Sequence, residues 1–178
     1  LLFFLNDLKV KNNITKLGIV LTIILSLPLV YRFVVSIDRT NLSGKYHNMV
    51  HIAYANFIDE NFNANEMIMA GDIGTLCFYT KNPILDVNGL ATSEATEAIR
   101  RAYQNSNFLD TLSNSNNVDV AIIYRAWEGN LLSTKWKNVG YWIGYNPTAH
   151  EKQFVGLYTS NPSKFENLKK EFESQEYK

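Results

Sequence analysis

Residues 17–37 read LGIVLTIILSLPLVYRFVVSI, an almost unbroken apolar run with Arg32 as its single charge. About 20 residues at a rise of about 1.5 Å span roughly 30 Å, the thickness of a bilayer's hydrocarbon layer. The run predicts a transmembrane helix. Pro28 removes one backbone donor, which a spanning helix tolerates with a kink. Arg32 lies near the exit end, where its long stem carries the guanidinium into the headgroups beside Tyr31. Residues 1–16 read as the end of a preceding membrane segment, LLFFL, followed by a cytoplasmic loop from Asn6. Lys9, Lys11 and Lys16 before the run outnumber Arg39 and Lys45 after it, so the positive-inside bias puts the N-terminal flank in the cytoplasm. The chain beyond the run is expected to face the periplasm or the cell exterior.

Past Ile37 the pattern becomes that of a water-soluble domain over residues 42–178. Asn41, Leu42, Ser43 and Gly44 are expected to interrupt the helix. Apolar residues at Met49, Val50, Ala53, Tyr54, Phe57 and Ile58 then fall three and four apart and predict a helix with one buried face. Residues 67–70 and 83–87 read as short buried strands, with a short helix from Ile73 to about Tyr79 between them. Asp72 is the expected cap of that helix. Thr92 or Ser93 opens the next helix, with Glu94 and Glu97 early and Arg100 and Arg101 late, as the helix dipole prefers. Residues 105–117, rich in Asn and Ser, predict a short helix or loop. Residues 118–124, VDVAIIY, predict a central strand. Residues 139–145 and 153–159 predict two more strands, and residues 164–173 a last helix with Phe165, Leu168 and Phe172 on one face. The predicted fold is therefore a transmembrane helix followed by a small extracytoplasmic α/β domain, with a mixed sheet of about five strands whose later members are antiparallel.

Composition narrows the function classes. Seventeen basic residues balance seventeen acidic ones among 178, so no charge excess draws the chain to nucleic acid. Cys77 is the only cysteine, which excludes an internal disulfide. It lies in an apolar stretch and is expected as a buried small hydrophobe. His47 and His51 share a helix face, yet neither a third ligand nor an accompanying glutamate is found nearby, so they read as surface imidazoles and no metal is expected. Trp127, Trp136 and Trp142 are expected in the core. Asp72 and Asp86 each close a strand beside a glycine-containing turn, where ligands gather in α/β sheets, and the two can converge on one rim. Capping and turn formation explain both adequately and are the commoner use of aspartate at such points. No phosphate-binding glycine loop or nucleophile elbow occurs.

The segment MIMAGDIGTLCFYTKNPILDVNGL, residues 67–90, resembles one found in bacterial polytopic glycosyltransferases of the GT-C group, the dolichyl-phosphate-mannose–protein mannosyltransferase-like enzymes. The matching positions are Asp72, Ile73, Gly74, Phe78, Tyr79, Asp86, Gly89 and Leu90. The preceding spanning helix and the late strand VDVAIIYRAW look like the same arrangement. The resemblance implies an enzyme that moves a sugar from a polyprenyl-phosphate donor to a glycan, lipid or protein acceptor on the outer side of the membrane. It places the catalytic acid upstream of Leu1, so this chain, which starts without methionine, is expected to be the accessory C-terminal part of a longer protein, holding no cofactor. Asp72, Gly74, Tyr79, Asp86 and Gly89 are its expected ligand-rim residues. The competing reading is a single-pass, membrane-anchored binding module without catalysis.

Overall fold

A computed structural model describes residues 2–147 and 150–175, with the side chains of 2–15 and 17 excepted. The chain divides into two compact units, Leu1–Leu42 and Ser43–Lys178.

Residues 2–42 of the first unit belong to helix α1, Leu2–Tyr46. Its apolar window has a mean hydropathy of 2.2 and none of it is buried. Among the described residues this is the one helix long and apolar enough to cross a membrane. Pro28 sits inside it. Two expectations need correction. The backbone of 6–16, expected as a loop, is helical, and so is the expected break at Asn41, Leu42, Ser43 and Gly44. An internal glycine costs a helix only about 1 kcal/mol, and a helix already nucleated on both sides absorbs that. The reading of residues 1–5 as the tail of an earlier span rests on side chains outside the described residues.

The second unit is an α/β domain. After α1 comes a π-helical turn, His47–Ile52, then α2, Ala53–Asn61. The order continues β1 Ile68–Ala70, α3 Gly74–Tyr79, β2 Ile84–Asp86, α4 Ser93–Arg100, α5 Ser106–Ser115 and β3 Val120–Tyr124. A hairpin of β4, Lys137–Asn146, and β5, Glu151–Thr159, leads to α6, Pro162–Gln175. The five strands stand in the order β2-β1-β3-β5-β4. The first three are mutually parallel, and β5 runs antiparallel to both β3 and β4. The Asn-rich stretch settles as helix α5 because the Asn105 side chain accepts the backbone N–H of Phe108 at its start.

Strand alternation decides which side chain reaches which face. In β3, Val120, Ile122 and Tyr124 pack with Tyr54, Phe57 and Ile58 of α2 and with Leu168 and Phe172 of α6. Ala121 and Ile123 turn the other way, onto Ala95 of α4 and Leu109 and Leu112 of α5. The sheet is thus covered on both faces. Trp136 and Trp142 are buried as expected, whereas Trp127 is exposed and stacks on Tyr124 at 4.7 Å. Cys77 is exposed, contrary to expectation, because the six-residue α3 turns Thr75 and Leu76 inward and Cys77, Phe78 and Tyr79 out.

The parallel strands share one polarity, so their C-terminal ends fall on one edge of the sheet. That edge carries Asp72, Asp86 and Tyr124. The opposite edge is held by Lys164, whose Nζ donates to Glu66 at 2.9 Å and Asp119 at 3.1 Å.

Candidate functional site at the C-terminal strand edge

Two carboxylates on this edge serve the backbone. Asp86, fully buried, accepts the N–H of Asn88 at 2.8 Å and that of Ala91 at 2.7 Å, one on each oxygen. Its own N–H donates to the Thr92 hydroxyl. Gly89 turns this loop at φ 73°, a left-handed conformation that suits glycine. Glu128 is 3% exposed, accepting from the Asn88 side chain at 2.9 Å and the Tyr124 N–H at 3.1 Å. Burial pushes its carboxyl above the ordinary range. Asn88 also donates to the Gly71 carbonyl and so laces the β1 and β2 ends together. Gly71 is required here, since a Cβ would lie 2.7 Å from Glu128 Oε1.

Asp72 is placed differently. Its Oδ1 accepts the Gly74 N–H at 3.2 Å, an Asx-type turn that starts α3. Its Oδ2 lies 3.6 Å from His51 Nδ1 and 3.5 Å from the Tyr124 hydroxyl, and 41% of the side chain is exposed. His51 comes from the π-helical turn and is only 13% exposed. Its Nε2 is 2.9 Å from the Tyr124 hydroxyl and its Nδ1 is 3.5 Å from Thr75 Oγ1. A carboxylate beside Nδ1 favours the proton on that nitrogen, which leaves Nε2 to accept from Tyr124. The ring also meets Tyr46 edge-on at 5.2 Å and stacks on Tyr54 at 5.5 Å. Burial holds the His51 imidazole below its ordinary value, and the attraction of Asp72, which acts the other way, does not outweigh it. Burial likewise raises the phenols of Tyr124, Tyr54 and Tyr46. The cluster is neutral except for Asp72.

In front of it opens a cavity of ≈ 530 Å³ lined by His47, His51, Asp72, Gly74, Thr75, Phe78 and Tyr79. Of the residues expected from the sequence, Asp72, Gly74 and Tyr79 meet at this cavity. Asp86 and Gly89 do not line it and build the neighbouring loop. His51, expected on the surface, is drawn in with Tyr124 and Thr75. His51 stands three, four and seven residues before the buried Tyr54, Ala55 and Ile58, a spacing that turns it inward, whereas Met49, expected on the buried face, is 66% exposed. Among the described residues no group of three His, Cys, Asp or Glu side chains is arranged to hold a metal ion. With both ring nitrogens of His51 engaged, the arrangement is built to hold Asp72 and the aromatic rim in place.

No curated protein and no solved structure matches the chain. Residues 39–163 match a family described as a domain of unknown function, and the chain therefore belongs to that family, DUF8728.

Proposed function

We propose that this chain is the accessory C-terminal part of a polytopic membrane glycosyltransferase, anchored by α1, with the Ser43–Lys178 unit on the outer side of the membrane. There it serves the acceptor side of sugar transfer from a polyprenyl-phosphate donor. The observation that carries the reading is the meeting of the two ends of the 67–90 segment. Asp72 to Gly74 and Asp86 to Leu90, the parts that resemble the glycosyltransferase pattern, lie at the ends of adjacent parallel strands on one edge of the sheet. That edge, at strand C-termini, is where α/β sheets bind ligands. An exposed apolar helix of spanning length precedes the domain. The catalytic acid belongs upstream of Leu1 in this reading.

Deleting residues 43–178 from the full-length protein and assaying sugar transfer tests it. Loss of transfer or a changed acceptor range is expected, and unchanged activity on the same acceptors refutes it. Sidedness has its own test on residues 1–178 expressed alone, because Cys77 is exposed and is the only cysteine among them. A membrane-impermeant maleimide applied to intact cells is expected to label Cys77 without permeabilisation. Labelling only after permeabilisation puts the domain in the cytoplasm and overturns the topology.

A further inference from the structure

The cavity in front of Asp72 has a chemistry that selects among the parts of a sugar-transfer reaction. Among the described residues no lysine or arginine lines it. Burial keeps His51 neutral at physiological pH, and Asp72 supplies a carboxylate on the wall. A phosphate entering here meets the like charge of Asp72, with no lysine or arginine in the wall and the imidazoles of His47 and His51 as its basic groups. Hydroxyl donors meet the opposite situation. The Gly74 N–H occupies Asp72 Oδ1, and the Tyr124 hydroxyl and His51 Nδ1 stand 3.5 and 3.6 Å from Oδ2, while an ionised carboxylate offers about four acceptor positions. Its partly exposed oxygens therefore keep room for a hydroxyl.

Beside the carboxylate stands an aromatic platform. Phe78 is 81% exposed and Tyr79 43% exposed, on a short helix, with their rings edge to face at 4.9 Å. Large rings left open beside a fixed polar group mark a surface that is covered in use. The C–H-bearing face of a pyranose is apolar while its rim is a ring of hydroxyls, so it matches an open phenyl face next to a carboxylate. The cavity, at ≈ 530 Å³, falls within the range of about 300–1,000 Å³ usual for small-molecule sites.

We infer that this cavity binds an uncharged pyranose of the acceptor, with Asp72 accepting from one of its hydroxyls and Phe78 and Tyr79 stacking on its face, and that it does not bind the phosphate of the lipid donor. The inference rests on the proposed role in sugar transfer and assigns the domain to one substrate of that reaction.

The test uses the full chain in lipid nanodiscs, because maltoside detergents would compete. Methyl α-mannopyranoside, methyl β-glucopyranoside and methyl β-galactopyranoside are titrated by saturation-transfer NMR, beside inorganic phosphate and choline. At least one glycoside is expected to bind. Phe78→Ala removes only exposed atoms, so it keeps the thermal midpoint and weakens binding about three- to tenfold. Asp72→Asn is expected to weaken it by about tenfold or more, since hydrogen bonds to charged groups are the stronger ones. The inference is overturned if no glycoside binds, if phosphate or choline binds in their place, or if Phe78→Ala leaves glycoside binding unchanged. The two readings fail separately. Loss of transfer on domain deletion without glycoside binding sinks the pocket assignment alone, and glycoside binding in a full-length protein that transfers no sugar sinks the enzyme reading alone.

Discussion

The ends of β1 and β2 carry the same residue type and have diverged completely in what they do with it. Asp86 pairs in register with Ala70, inside the sheet, and Asp72 lies two residues beyond Ala70. Those two residues move a carboxylate from the packed layer to the rim. At the inner position both oxygens are consumed by backbone N–H groups and no surface remains. At the outer one a single N–H is accepted, and the other oxygen faces His51, Tyr124 and an open cavity. A strand-end aspartate thus serves a loop or a ligand according to how many of its own chain's donors reach it first.

The comparison is broken most severely by Asp86→Ala. Two backbone donors, from Asn88 and Ala91, lose a fully buried carboxylate acceptor, at about 1–3 kcal/mol each. A total of roughly 3 kcal/mol or more is expected, read as a fall of about 10 °C in thermal midpoint. Asp86→Asn is expected to recover part of this, because one carbonyl oxygen remains. Next in size is Gly89→Ala in the same loop. A Cβ there lies 2.6 Å from the Thr96 backbone nitrogen, and the residue sits at φ 73°. Strain and close contact together predict a loss of about 2 kcal/mol in chemical denaturation.

These two positions also show how far the sequence can be read. The strand ends, the turn after Asp86 and the short helix after Asp72 come from local signals: apolar runs, Asn-Gly, and an aspartate before a helix. Local signals do not say which aspartate is satisfied. Asp72 has a helix N-terminus at hand and Asp86 has a glycine turn, and either can absorb a carboxylate. Both are met by donors within five residues, Asn88 and Ala91 for Asp86 against Gly74 alone for Asp72, and the count is set by a loop path that Asn88 fixes through Gly71 and Glu128. His51 is illegible for a different reason. Its spacing to Tyr54 and Ile58 suits a buried face, but its role comes from Asp72 and from Tyr124, 73 residues away, which only the fold brings to the ring. Tyr124 is visible as the end of an apolar strand, but its role needs the alternation of β3 to aim it at the His51 face.

Asp72→Asn sharpens the comparison by its mildness. The amide oxygen can still accept from Gly74, and the side chain is substantially exposed. A stability change under about 1 kcal/mol is expected. A larger loss would put Asp72 in the same structural class as Asp86.

The smallest effect lies in the acid limb of stability. His51 has a folded value below its ordinary 6.5 because burial outweighs the attraction of Asp72. The unfolded chain therefore takes up its proton first as the pH falls. The stability tied to neutral His51 is fully present above about pH 6.5 and declines as the pH drops below that value. Asp72→Asn removes the attraction that opposes burial, so the His51 value falls further and the decline extends to lower pH. His51→Gln removes the titration and flattens the same window. The flattening is measured as the difference between variant and parent melting points across pH 5 to 7, roughly the range in which an ordinary histidine titrates. Glu66, held low by its bond to Lys164, loses its contribution only below its ordinary 4.5 and does so equally in both proteins, so it cancels. An unchanged slope in His51→Gln would mean that the ring is not desolvated, and the packing of Tyr46, Tyr54 and Tyr124 around it would then have to be looser than the structure shows.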